Sequence, residues 1–191
     1  MLIRKALAKD AAHLVRFINM AADDLPMHFW RKSVGPDGDA LAYGMERAAR
    51  DAGSFSYRNA WLVEVDGAVV ACLLGYPAED EPSPIAADTP PIFVPLLELE
   101  AMAPGSWYLN VLATYDGARG KGCGSALLVK AEEISRAQGR KTISLITADT
   151  HLDAQRLYAA KGYSEVARRP VVKGDWQVDA SEWILMTKTL A

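Results

Sequence analysis

Histidine and cysteine are scarce in this chain, with three of the first and two of the second among 191 residues. Cys72 and Cys123 lie far apart and in no spacing that a metal site or a redox pair would use. A chain of this length folds without disulfide staples, so both are expected to be reduced thiols, and no metal is expected. Neither sign of charge dominates. The 21 Lys and Arg against 24 Asp and Glu leave a formal charge of -3, which offers no positive field to nucleic acid or an anionic membrane. No stretch approaches the ~20 apolar residues of a membrane helix, and Met1-Leu-Ile-Arg-Lys runs into Asp10 too soon for a signal peptide. The expectation is a cytoplasmic protein with no nucleic-acid and no membrane partner, better matched to a cationic substrate.

Half of the residues are apolar, enough for one sizeable core and a single domain over residues 1–191. Leu2 to Ala6 fits an edge strand, and Asp10 caps a helix in which Ala11, Leu14, Val15 and Ile18 fall at helical spacing. Pro26 and Pro36 suggest a break over Asp23 to Asp39 before a second helix, Ala40 to Arg50. Ala60 to Val65 and Ala68 to Tyr76 are apolar runs joined by Asp66-Gly67, the form a type I′ hairpin prefers. Pro77 to Pro95 holds six prolines and four acidic residues, a surface excursion or lid, and Leu96 to Met102 follows as a short helical turn. Strands are then expected at Trp107 to Thr114, Lys141 to Thr147, Tyr163 to Arg168 and Glu182 to Lys188, with helices at Ser125 to Gln138 and Leu152 to Ala160.

The chemistry concentrates where the strand ending at Thr114 passes through Arg119-Gly120-Lys121-Gly122-Cys123-Gly124 into the helix opening at Ser125. A helix mouth presents unpaired N–H groups and the positive end of its dipole. Glycine there lets a phosphate reach the backbone, and Arg119 and Lys121 add charge at the rim. A plain turn is the alternative reading. The spacing does not fit a nucleotide kinase loop, whose lysine follows its last glycine, nor a dinucleotide fold, which wants G-x-G-x-x-G after the first strand.

Arg119, Gly122 and Gly124 resemble the coenzyme A signature of the GNAT superfamily of N-acetyltransferases. The later run His151-Leu-Asp-Ala154-Gln-Arg-Leu-Tyr158-Ala-Ala-Lys-Gly162-Tyr163 is similar to that family's second motif, although His151 stands where its members usually have Asn. The resemblance covers most of the chain apart from residues 77–105. It implies an α/β (α+β) fold with a mixed, mostly antiparallel central sheet, helices on both faces, and a fourth strand splayed from the fifth. It implies acetyl-CoA as cosubstrate, with pantetheine along Leu112, Ala113 and Thr114 and the diphosphate on the N–H groups of Arg119 to Ser125. His151 and Ala154 would meet the pantetheine arm, and self-association as a homodimer stays an open expectation.

By the same resemblance Tyr158 protonates the departing thiolate, a task a neutral phenol suits, unless it is ordinary core. Strand alternation sets Tyr108, Asn110 and Leu112 on one face, where some family members carry a Glu or His toward the acceptor amine. Neither Tyr108 nor Asn110 is a good base, so Asn110 would orient a water or the amine. Glu98 and Glu100 are the nearest carboxylates, with a solvated helix face as the alternative. With Glu79, Asp80, Glu81 and Asp88 they would bias the acceptor toward cationic amines. The expected activity is acetyl transfer to a primary amine of a small molecule or peptide by direct attack. The competing reading is a non-catalytic acyl-CoA sensor or partner module.

Overall fold

The computed structural model describes residues 1–190. Its seven strands hydrogen-bond in the order β1-β2-β3-β4-β5-β7-β6. They are β1 (Leu2–Lys5), β2 (Ala60–Val65), β3 (Ala68–Pro77), β4 (Trp107–Thr114), β5 (Thr142–Ala148), β6 (Ser164–Pro170) and β7 (Glu182–Thr189). The paired neighbours β1/β2, β2/β3, β5/β7 and β6/β7 run antiparallel, while β4 and β5 are parallel. That parallel ladder covers only Trp107–Leu109 against Ile143–Leu145, although both strands run several residues further. The β4–β5 register ends at Leu109 and Leu145. No helix among the described residues is long and apolar enough to cross a membrane.

Backbone contacts divide the chain into two compact units. The first comprises residues 1–75 and 111–127. Here α1 (Ala11–Ala21) buries Leu14, Val15, Phe17 and Ile18 completely, each worth about 1.5–3 kcal/mol of apolar burial. The Asp66-Gly67 turn has φ of 51° and 79°, the left-handed pair that a type I′ hairpin requires.

Two expectations fail in this unit. Residues Leu25–Val34 form a helix, α2, ahead of α3 (Ala40–Ala49), so three helices precede β2. Pro26 does not break α2 because it sits in the first turn, where its missing N–H would have had no partner. Asp10 occupies the N-cap of α1 but makes no side-chain cap. Its carboxylate instead accepts from Arg4 at 2.8 and 3.0 Å and from the Leu7 N–H at 2.8 Å. A buried carboxylate goes to the strongest donor in reach, and the Arg4 hydrogen bond holds Asp10 below the usual carboxylate range.

The second unit comprises residues 76–110 and 128–190 among those described. It carries α4 (Val94–Ala101), most of α5 (Cys123–Ala137) and α6 (Leu152–Ala160). Helix α4 begins two residues before the expected turn because Pro95 is again tolerated at the start. The proline-rich excursion is closed at its neck: Ala78 N–H donates to Ser106 O and Gly105 N–H to Glu79 O, each at 2.9 Å. Arg140 donates to the Asp80 carboxylate and, at 3.2 Å, to Gly105 O. Buried Ser106 and Ser144 share a 2.7 Å hydroxyl contact beside the short parallel ladder. Trp176, from the connection between β6 and β7, stacks on Trp183 with planes 10° apart.

Candidate functional site

In the first unit the alternation of β4 leaves Leu112 and Thr114 half-buried and Ala113 buried. The chain then turns through Tyr115, which stacks on Phe17 at 4.3 Å and contacts His13 Nδ1 at 3.2 Å. Beyond it, Gly120 and Gly122 have φ of 73° and 83°, a backbone only glycine holds cheaply. A Cβ at either position would meet nothing within 4 Å. Their conformation, not crowding inside the protein, demands glycine.

This alternation turns successive N–H groups outward. Ala126 N–H, donating to Gly122 O at 3.0 Å, opens the hydrogen bonding of α5. Among the described residues, the N–H groups of Gly120, Lys121, Gly122, Cys123, Gly124 and Ser125 donate to nothing. The Arg119 N–H does not join them, because it donates to Asp116 O at 3.1 Å; the expected anion cradle starts one residue later. The Arg119 guanidinium pairs with Asp116 at 3.1 Å and reaches Thr114 O at 3.3 Å. Lys121 Nζ donates to Gly117 O at 2.8 Å. These contacts are exposed, and exposed pairs are worth about 0–1 kcal/mol, so both cations can exchange to a stronger anion. The nest of N–H groups with cations at its rim suits a diphosphate.

The same unit has an open groove of about 900 Å³ beside α2 and α3, bordered by His28, Arg31, Lys32 and Asp39. Its charge is mainly basic, which does not extend the expected acidic acceptor side.

In the second unit Asn110 and Tyr108, two of the singled-out positions, both meet Tyr76. Asn110 Nδ2 donates to Tyr76 Oη at 3.4 Å. The Tyr76 and Tyr108 rings meet edge to face at 5.7 Å. Burial raises the Glu100 pKa, opposed in part by the Tyr108 hydrogen bond. Burial, and then the Glu100 charge, push the Tyr108 phenol well up. Glu100 is half-buried. Glu98, also half-buried, pairs with Arg169 at 2.5 Å. Glu79 accepts from Ser83 and Asp80 from Arg140, so much of the acidic run is spent on holding the excursion.

Tyr158 is buried and packs against Tyr163 at a centroid distance of 5.8 Å. Its hydroxyl has no hydrogen-bond partner among the described residues, and burial raises its pKa. His151 stands half-buried at the N-cap of α6 without capping it, and Ala154 is half-buried one turn on. Gln155 carried no expectation, yet its Nε2 donates to Ala148 O at 2.9 Å and Asp149 O at 3.1 Å. It ties the end of β5 to α6. No local pattern marks it, since its partners are main-chain carbonyls.

A family model described as the acetyltransferase (GNAT) family matches residues 16–163. The solved structure of an acetyltransferase has a TM-score of 0.69 at 22% identity over 100% of both chains. An N-acetyltransferase from Staphylococcus aureus Mu50 has a TM-score of 0.69 at 19% identity, covering 98% of this chain and 100% of that one. A GNAT family acetyltransferase from Elizabethkingia anophelis, solved with acetyl-CoA bound, has a TM-score of 0.56 at 13% identity, covering 92% and 89%. No curated protein matches by sequence.

Proposed function

Since the chain belongs to the GNAT acetyltransferase family, we propose that it transfers the acetyl group of acetyl-CoA to a primary amine of a small molecule or peptide. The observation that carries this reading is the run of six unpartnered N–H groups from Gly120 to Ser125 at the mouth of α5. Such a run fits the oxygens of a diphosphate, with Arg119 and Lys121 exchanging their weak contacts for the same anion. Leu112, Ala113 and Thr114 would offer main-chain groups to pantetheine, and His151 and Ala154 would line the arm. The bound thioester supplies an activated acyl carbon.

The chain's own residues then hold and move protons. Tyr158 is neutral at pH 7, and its hydroxyl has no protein partner to release before it donates to the departing sulfur. Main-chain N–H groups of β4 would steady the charge developing on the acyl oxygen.

The test is to mix purified protein and acetyl-CoA with spermidine, L-lysine, benzylamine and the peptide Ala-Gly-Gly while recording free thiol. Amine-dependent thiol release supports transfer. Tight acetyl-CoA binding with no thiol release from any of these amines would instead assign the chain to the sensor class.

A further inference from the structure

The N–H groups from Gly120 to Ser125 can act on one anion only if they converge, and the segment that carries them is held unevenly. At its far end α5 fixes it: Ala126 N–H donates to Gly122 O at 3.0 Å, and the buried side chains of Cys123 and Leu127 seat the helix. At its near end Asp116, Gly117, Arg119 and Gly120 are all exposed. Gly120 and Gly122 add to the problem, because glycine has more backbone freedom to lose than any other residue. We propose that Tyr115 is the positioning residue that holds this near end, its ring clamped on α1 so that the N–H groups are aligned before a diphosphate arrives. The inference rests on the diphosphate reading of the turn and adds what keeps the turn in shape.

Three contacts fix Tyr115, and all of them lie in the first unit. Its main-chain N–H donates to Val70 O of β3 at 2.9 Å, which ties the end of β4 to the hairpin. Its ring stacks on Phe17 with centroids 4.3 Å and planes 26° apart. Its hydroxyl oxygen lies 3.2 Å from His13 Nδ1. His13 and Phe17 are four residues apart on α1 and so share one helix face. Phe17 is itself completely buried, so the surface on which Tyr115 rests is fixed by the core. Stacked rings also hold a preferred mutual geometry that simple apolar burial does not impose.

What hangs from Tyr115 is the approach to the nest. Ala118 N–H donates to Tyr115 O at 2.8 Å and Arg119 N–H to Asp116 O at 3.1 Å. This short turn starts at the anchored residue and sets the direction in which Gly120 departs. The rim cations reach back to the same stretch, Arg119 to Thr114 O at 3.3 Å and Lys121 Nζ to Gly117 O at 2.8 Å. These exposed contacts are local to the turn and do not tie it to the core, a task left to Tyr115 and the buried Ala118 methyl. Without the ring clamp the turn swings on its main-chain tether, and the ligand must order it on binding. Preorganisation removes that cost.

The experiment titrates the full chain, as parent, Tyr115→Phe and Tyr115→Ala, with coenzyme A and with pantetheine, which lacks the diphosphate; Tm is recorded alongside. Tyr115→Ala should bind coenzyme A about 5- to 30-fold more weakly, the equivalent of ordering the backbone of one further residue. Its pantetheine affinity should stay near that of the parent, because the main-chain hydrogen bond to Val70 O survives the substitution. Tyr115→Phe keeps the stack on Phe17 and loses only the His13 contact, a modest contribution, so its coenzyme A affinity should lie within about threefold of the parent. A side chain that merely stabilises the fold would lower Tm and leave the preference for coenzyme A over pantetheine unchanged. That unchanged preference in a folded Tyr115→Ala protein overturns the clamp and leaves the diphosphate reading standing, as does a Tyr115→Phe protein as weak as Tyr115→Ala. If the alanine variant does not fold, Tyr115→Leu, which keeps apolar volume without a planar stack, is read by the same criteria. A parent that binds coenzyme A no more tightly than pantetheine fails the diphosphate reading itself, and the clamp with it.

Discussion

Replacing Gly124 by alanine separates the anion-binding role of the turn from its folding role. Gly124 lies within the first turn of α5 and, unlike Gly120 and Gly122, has no positive φ. Alanine there is compatible with the backbone, and a helical Gly→Ala change favours the helix by up to about 1 kcal/mol. The folded protein should therefore be no less stable. The added Cβ, however, belongs to a residue whose own N–H is one of the six free groups, and a phosphate held off by one methyl loses its closest approach. A charge-assisted hydrogen bond contributes about 1.5–3 kcal/mol, so the loss of one corresponds to a fall in coenzyme A affinity of roughly 10- to 150-fold. Gly122→Ala is the control with the opposite signature. At φ of 83° it should cost about 1–2 kcal/mol of backbone strain even without ligand, a drop of about 2–8 °C in Tm at this chain length. Calorimetry gives the Tm values, and titration with coenzyme A and with pantetheine, which lacks the diphosphate, gives the affinities. The reasoning is refuted if Gly124→Ala keeps its coenzyme A affinity, or if pantetheine and coenzyme A weaken equally.

Tyr158→Phe should lower kcat about 100- to 10,000-fold while leaving Tm nearly unchanged, because the hydroxyl removed has no protein partner; a loss under threefold would make Tyr158 a packing residue. Glu100→Gln should be more stable than the parent at pH 8 but not at pH 5. The raised folded-state pKa means that the Glu100 contribution is fully present below the unfolded value and lost as pH rises through the folded one, so parallel Tm–pH curves for the two proteins would contradict it. Arg140→Ala removes the donors to Asp80 and Gly105 O at the neck of the excursion. Faster hydrogen exchange should appear in residues 78–93 and not in β5, and unchanged exchange there would show that the remaining main-chain pairs suffice.

Much of the fold was readable because its signals are local. Asp66-Gly67 fixes the β2–β3 hairpin through left-handed backbone at two adjacent residues, and Trp107–Thr114 and Leu152–Ala160 begin and end where their own periodicity ends. Local reading failed at Pro26 and Asp10. A proline's effect depends on its place in the helix turn, and a carboxylate's partner depends on what else is near; Arg4 comes to Asp10 because β1 is already held by β2.

The candidate site divides along the same physical line. Three alternate glycines ahead of a helix imply outward N–H groups from covalent geometry alone, so the anion nest, the strand before it and the helix after it are properties of contiguous residues. Glu98 and Glu100, by contrast, are two carboxylates on one helix that no pattern tells apart. Folding separates them by bringing Arg169 to the first and leaving the second desolvated enough to raise its pKa. Protonation equilibria respond to desolvation and to the nearest charge, and both are set by residues distant in the chain. The turn was therefore open to reading from the sequence, whereas the different surroundings of the two carboxylates came into being with the packing of α4.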